Sequence, residues 1–351
     1  MIAKRHLLIG FYLILVTLVS GCQLPQTDSP DTLWTAIAEK TDLPDQTPAQ
    51  NTASQPGESQ TQLPTSPPPP SPTYTATPAP SPTTAPTDTP VTTLRIAVIG
   101  DFGAGGKPEE DVANLVKSWD PDYILTTGDN NYPDGAWETI DWNIGNFYHE
   151  YIFPYKGSYG EGARENRFFP TLGNHDYYTD DAAPYLDYFT LPGNERYYDV
   201  LLGPVHVFAL NSDFNEPDGV GRSSKQADWL RDALSRSAAP WKLVVYHATA
   251  YSSGYQGSSD WMRWPFQEWG ATASLAGHDH NYERLEINGF PYFTNGLGGG
   301  AIYSFQDPIP GSQVRYNADH GAMLILAEQS RITFQFITHG GELIDSYTIE
   351  K

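Results

Sequence analysis

From residue 93 onward the sequence predicts an α/β fold, a four-layer sandwich of two packed mixed β-sheets flanked by helices. Three observations carry this. Short runs of β-branched and aromatic residues, bounded by Gly and Pro, recur along the stretch. Segments with helical spacing separate the earlier runs. After about residue 290 the helical segments stop, and strand-like runs follow one another to the end.

Leu94–Ile99 is apolar apart from Arg95 and reads as a buried strand. Asp111–Trp119 has helical spacing, Tyr123–Thr127 is a second strand, and Glu138–Phe153 is expected as a helix with aromatic anchors. Arg167–Leu172 has strand-like content and leads straight into Gly173. Tyr197–Leu202 and Val205–Leu210 read as neighbouring strands joined at a Gly-Pro turn. Ser223–Ser237 has an N-cap serine, a Gln at the third helical position and apolar residues at Ala227, Leu230, Ala233 and Leu234, so a helix is expected. Trp241–Tyr246 and Thr272–Ala276 are further strands. Phe290–Thr294, Ala322–Ala327, Arg331–Ile337 and Leu343–Ile349 form the β-rich tail. No internal repeat divides residues 93–351, which read as one unit.

The N-terminal part has a different composition. Lys4 and Arg5 precede the apolar run Leu7–Val19, which is short for a membrane span and suits a signal segment. It ends in Val19-Ser20-Gly21-Cys22, which resembles the lipobox of bacterial lipoproteins, and Cys22 is the sole cysteine. Residues 1–22 are therefore expected to be a lipoprotein signal peptide ending at a lipidated Cys22. Residues 23–92 are expected as a linker. Within it, 46–92 is dominated by Pro, Thr, Ser, Gln and Ala and buries too little apolar surface to offset its ordering entropy. The expected location is the cell envelope, with the folded part outside the cytoplasm.

The formal net charge is −22, and the part from residue 93 carries 17 Lys and Arg against 35 Asp and Glu. So acidic a surface, with no basic stripe, repels nucleic-acid phosphate and excludes a duplex partner. A small anion remains admissible where bound cations reverse the local sign.

Five apolar runs each end in a polar or Gly-containing loop. They give Gly100-Asp101-Phe102-Gly103, Gly128-Asp129-Asn130-Asn131-Tyr132, Gly173-Asn174-His175-Asp176, Val244-Val245-Tyr246-His247 and Gly277-His278-Asp279-His280. A strand fixes the backbone, a Gly permits a sharp turn, and the next side chain stands at the sheet's carboxyl edge. Singly, each has an ordinary explanation: an Asp after a strand caps helices, and a lone His is usually a satisfied buried one. His278 and His280 gain from H-x-H spacing, because alternate strand residues share a face. Together, two Asp, one Asn, three His and one Tyr at strand ends supply O and N ligands for two metals.

In this order the five stretches resemble the signature blocks of the purple acid phosphatase type of metallophosphoesterase, over about residues 93–351. Gly128–Tyr132 is the most diagnostic block, through its tyrosine. The resemblance implies Asp101, Tyr132 and His280 on one metal, Asn174, His247 and His278 on the other, and Asp129 bridging both. His175 would stand beside the substrate phosphate without binding metal. The ligand chemistry agrees: Asp101, Asp129 and a deprotonated Tyr132 are a hard anionic set suited to Fe(III), whereas Asn174 with two imidazoles suits divalent Zn, Fe or Mn. The implied activity is hydrolysis of small phosphomonoesters at a binuclear site, acid-phosphatase-like, by in-line attack of hydroxide with His175 stabilising charge. A phosphodiesterase or nucleotidase could share the centre, and a non-catalytic metal- or anion-binding surface protein is the rival of another class. The oligomeric state is not legible.

Relative to that family, the loop Ala248–Trp261 lacks the histidines expected to assist leaving-group protonation. Tyr251, Tyr255, Gln256 and Asp260 are its polar candidates. Tyr255 and Asn131 are candidates for supporting the site or touching substrate. Asp176 either orients His175 or the Asn174 loop, or is a turn residue. Asn130 and Asn131 also suit a turn. Gly296–Gly300 reads as a tight loop after a strand. Trp261, Trp264, Phe266 and Trp269 suit either core packing or an aromatic wall of the cleft.

Overall fold

The structure, a computed structural model, describes residues 93–351. The expected signal peptide at 1–22, the lipidated Cys22 and the linker at 23–92 lie outside the described residues. Two sheets form the scaffold. The first has six strands in the order β13-β12-β11-β1-β2-β3: β1 is Leu94–Ile99, β2 Tyr123–Thr126, β3 Phe168–Phe169, β11 Gly321–Ala327, β12 Arg331–Thr338 and β13 Leu343–Glu350. β1, β2 and β3 run parallel, and β11 to β13 continue antiparallel from β1.

The second sheet has seven strands in the order β10-β8-β9-β7-β6-β5-β4. These are β4 Tyr198–Leu202, β5 Val205–Ala209, β6 Trp241–Ala248, β7 Ala273–Gly277, β8 Tyr282–Ile287, β9 Phe290–Asn295 and β10 Ser312–Tyr316. Its centre, β5, β6, β7 and β9, is parallel. The helices are α1 (Lys107–Ser118), the short α2 (Asn146–Tyr148), α3 (Ala183–Tyr188) and α4 (Lys225–Arg236).

Period-two alternation divides the core. Leu243 and Val245 of β6 pack with Ile96, Val98 and Phe334 of the first sheet, between the two layers. Val244 and Tyr246 face the opposite way, onto Leu230 and Leu234 of α4 and onto Trp264 and Phe266. The same alternation sends His247 to the inner side, towards the first sheet. Trp264 and Phe266 are thus core residues, with Trp261 and Trp269 packed against them.

Several expected elements differ in detail. The first helix begins at Lys107 rather than Asp111, because Pro108 suits its first turn and Glu110 complements the dipole there. The expected helix Glu138–Phe153 is a π turn at Asp141–Gly145, the single turn α2 and a 3₁₀ turn at His149–Tyr151. Gly145 and outward ties from Asp141 to Ser158, Tyr155 and Tyr188 break its regularity. The strand expected over Arg167–Leu172 pairs only at Phe168 and Phe169, since Pro170 offers no N–H to the ladder. The cap of α4 is Ser224, whose side chain accepts from Ala227 N–H, and Gln226 turns inward to bridge the backbone N–H and C=O of Asn211. β8 and β10, which were not expected, complete the second sheet.

Candidate metal centre

The five sequence loops meet at the carboxyl ends of the parallel strands of both sheets. Asp101 follows β1, Asp129 and Tyr132 follow β2, and Asn174 and His175 follow β3. His247 lies near the end of β6, and His278 and His280 follow β7. Asp101, Asp129 and His278 all hold left-handed backbone, with φ of 54°, 52° and 68°. For non-glycine residues each such conformation costs on the order of 1–3 kcal/mol and is held only where surrounding contacts enforce it. The H-x-H pair is therefore not on a strand as expected. β7 ends at Gly277, and the turn at His278 aims the two rings separately.

The proposed donors converge. Tyr132 OH lies 3.0 Å from Asp129 Oδ2, 3.4 Å from Asp101 Oδ1 and 3.0 Å from His280 Nε2, and His280 Nε2 is 3.3 Å from Asp101 Oδ1. His247 Nε2 stands 3.3 Å from Asp129 Oδ2, 3.1 Å from Asn174 Oδ1 and 3.2 Å from His278 Nδ1. Asp129 Oδ2 is thus the atom reached from both groups. Its other oxygen accepts the His175 N–H at 2.9 Å, and both Asp101 oxygens accept the His278 N–H at 3.1 Å.

Backbone carbonyls orient the rings. His247 Nδ1 faces Thr127 O at 2.8 Å and His280 Nδ1 faces Ala301 O, so each ring donates there and turns Nε2 towards the other donors. Asn174 Nδ2 donates to Tyr178 OH at 3.0 Å, which turns its Oδ1 inward. His247 Nε2 thus faces His278 Nδ1 and Asn174 Oδ1 across a gap that a proton or a metal cation has to fill. A cation resolves that arrangement, and the O/N donor set fits two.

The electrostatics point the same way. Burial disfavours charge on Asp129, yet His247 and the His175 N–H hold its carboxyl far below the usual range. Burial also opposes charge on His247, but Asp129 raises its pKa from 6.5 to about 10. The pair therefore keeps a proton where a metal ion would otherwise balance the carboxylates. Burial and the positive His247 push His278 down to about 4. Burial, then Asp129 and Asp101, push the Tyr132 phenol well above its ordinary value, so only a strong cation can make it a phenolate here.

Glycine enforces the close approach. A Cβ at Gly173 would stand 2.1 Å from Asp129 Oδ1, and one at Gly128, where φ is 94°, would stand 2.6 Å from His247 Nδ1. At Gly173 the need is space for a carboxylate rather than the sharp turn expected of these glycines.

Around the donors, Asp176 is buried and accepts from the N–H groups of Gly173 and Asn130 and from Asn130 Nδ2. Burial, helped by Asp129 and opposed by those donors, raises its pKa to about 7. It ties two ligand loops together and does not reach the cleft. Asn131 is buried too, its amide spent on Ala136 O, Thr139 and Asn143, so it is a turn residue rather than a substrate contact. His175 remains partly exposed, with Nδ1 on Pro133 O and its ring between Tyr132 and Tyr178. Tyr255 is 64% exposed and packs edge-on against Tyr303, which stacks on His280 at 4.0 Å. Gly298 and Gly300 donate to Gly100 O and Asp101 O, making 296–300 the expected tight loop, packed beneath the Asp101 turn.

The loop after His247 is fixed from below. Ser252 Oγ and the N–H groups of Gln256 and Gly257 all donate to Asp279, the residue between the two histidines. Tyr251 packs under Arg263, which also pairs with Asp260. Tyr178 and Tyr303, which orient Asn174 and back His280, carried no signal in the sequence, since both depend on chain segments meeting in space.

Two mixed sheets with oxygen and nitrogen donors gathered where their strand ends face each other define a metal-dependent phosphoesterase class. The chain belongs to the calcineurin-like phosphoesterase family, which it matches over residues 94–282, and is accordingly a hydrolase. Tartrate-resistant acid phosphatase type 5 of Mus musculus is 24% identical over 274 residues, 65% of this chain and 80% of that protein. Purple acid phosphatase 17 of Arabidopsis thaliana is 25% identical over 250 residues, 62% and 72% of the two chains. Among solved structures, the purple acid phosphatase PPD1 of yellow lupin (Lupinus luteus) seeds has the same fold. It superposes with a TM-score of 0.59 at 17% identity over 74% of this chain and 54% of that one.

Proposed function

We propose that the protein hydrolyses small phosphomonoesters at a binuclear centre. Asp101, Tyr132 and His280 would hold one metal and Asn174, His247 and His278 the other, with Asp129 shared between them. The observation that supports this is the convergence of both donor groups on Asp129 Oδ2. The buried phenol between two carboxylates supports Fe(III) at the Tyr132 position, and the neutral amide and imidazoles suit Zn, Fe or Mn at the other. A metal pair here would supply a nucleophile from water and neutralise phosphoryl charge. His175, its Nδ1 held by Pro133 O and its Nε2 left for an incoming anion, stabilises the charge on the transferred group.

The test is full-length protein assayed for metal content, visible absorption and hydrolysis of p-nitrophenyl phosphate against bis(p-nitrophenyl) phosphate. The proposal expects two metals, a violet charge-transfer band and preference for the monoester. A large diester preference would reassign the activity, a colourless two-zinc protein would remove Fe(III), and no hydrolysis at pH 4–9 with both metals bound would refute catalysis. Anchoring through Cys22 on the outside of the cell envelope completes the reading. A Cys22→Ser change should then release the protein from the membrane fraction, and retention there would refute the anchor.

A further inference from the structure

Asn174 and His175 open a single tight turn. Tyr177 N–H donates to Asn174 O at 3.2 Å, and His175–Tyr177 is one 3₁₀ turn, with Asn174 and Tyr178 at its ends in right-handed helical backbone. Residues four apart on such a turn lie on one side of it. Asn174 and Tyr178 meet in this way: Asn174 Nδ2 donates to Tyr178 OH at 3.0 Å.

The turn is anchored without help from the Tyr178 ring. Within it, the buried Asp176 accepts from the N–H groups of Gly173 and Asn130. After it, Thr179 Oγ1 donates to Asp134 O at 2.7 Å, and Trp137 Nε1 donates to Asp180 Oδ2 at 3.2 Å. The Tyr178 ring is 49% exposed, so core packing does not account for it. Two of its contacts lead into the centre instead. The hydroxyl accepts from the amide whose Oδ1 lies 3.1 Å from His247 Nε2. The ring centre lies 4.9 Å from that of His175, which in turn lies 4.6 Å from that of Tyr132.

We infer that Tyr178 is a positioning residue that serves two groups at once. Its hydroxyl holds the Asn174 amide for the second metal, and its ring holds the His175 imidazole for the phosphate. The inference rests on the binuclear reading above. An amide oxygen is a weak donor beside imidazole and carboxylate, so this ligand gains most from support. A phenol oxygen that accepts the amide N–H restrains the amide plane and draws electron density towards Oδ1, which makes that oxygen the better ligand. The ring acts separately, by limiting the swing of His175 on its exposed side.

The experiment titrates chelator-treated full-length protein with zinc, and then with inorganic phosphate, by calorimetry. The proteins are wild type, Tyr178→Phe, Tyr178→Leu, and Asn174→Asp with and without Tyr178→Phe. Wild type should bind two zinc ions. Tyr178→Phe should weaken one of them by about 10–100-fold, the usual worth of an outer partner to a ligand, and leave the other unchanged. In the Asn174→Asp background the same change should cost nothing, because a carboxylate has no N–H for the phenol oxygen to accept. At saturating zinc, phosphate affinity should match wild type in Tyr178→Phe and fall about 2–10-fold in Tyr178→Leu, the worth of one aromatic contact. Two unaltered zinc sites in Tyr178→Phe, two sites weakened alike, or the same loss in the Asn174→Asp background would overturn the role of the hydroxyl. Equal phosphate affinity in Tyr178→Phe and Tyr178→Leu would overturn that of the ring. A wild type that takes up no pair of zinc ions removes the binuclear reading and this inference together, whereas a wild type with two confines any failure to Tyr178.

Discussion

Gly173→Ala isolates the spatial argument, because it adds one methyl group and replaces none of the proposed donor residues. The new Cβ would lie 2.1 Å from Asp129 Oδ1 and 2.3 Å from Asp129 N, against a floor of 3.0 Å for real contacts. The carboxylate must therefore retreat by about 0.9 Å, or the Gly173 loop must lift away from it. Either move spoils Asp129 Oδ2, which stands 3.0 Å from Tyr132 OH and 3.3 Å from His247 Nε2. Overpacking of this kind costs about 1–3 kcal/mol in stability. A misplacement of about 1 Å at a reacting centre costs on the order of 10²-fold in rate. Thermal unfolding, metal analysis and p-nitrophenyl phosphate hydrolysis should show a lower midpoint, loss of at least one metal and a rate loss of that order. Gly221→Ala, where a Cβ meets nothing within 4 Å, is the control and should match the wild type. A Gly173→Ala protein with both metals and full activity would refute the claim that glycine is there to admit the carboxylate.

Three further outcomes are expected. Tyr132→Phe should bleach the visible band while the fold, followed by circular dichroism, survives; an unchanged spectrum would place the chromophore elsewhere. In chelator-treated protein, the His247 pKa is raised from 6.5 to about 10, so the stability from its pairing with Asp129 is complete below 6.5 and is lost as pH rises towards 10. The apo midpoint should therefore fall over that window, and His247→Asn should flatten the fall. Glu109, buried with Oε1 unpartnered, is held by burial well above its ordinary value, against the opposing Gly105 and Ala104 N–H groups. Above the unfolded-state carboxyl range the unfolded chain ionises while the folded one does not, which lowers stability. Glu109→Gln should hence raise the midpoint at pH 7.5, by an amount on the order of 1 kcal/mol, and leave it unchanged at pH 4; equal midpoints at both pH values would refute this.

The donors were legible because each apolar run is followed at once by the polar residue that matters, and chain order alone brings Asp101, Asp129 and Asn174 to one edge. The H-x-H pair was found through a periodicity it does not follow, since His278 leaves the strand at positive φ. β8 was hidden by its own charges. Glu283 is buried under Ser253 and Ser312, and Arg284 pairs with Asp345 on a strand far along the chain. The helix expected over Glu138–Phe153 has the right apolar spacing, but side chains such as Asn143, bonded to Tyr132 O, pull its turns out of register.

Each donor group draws on both layers of the fold. Asp101 and Tyr132 come from one sheet and His280 from the other, and Asn174 likewise meets His247 and His278 across the seam. The complete donor set proposed for either metal would therefore exist only where the two layers are packed together.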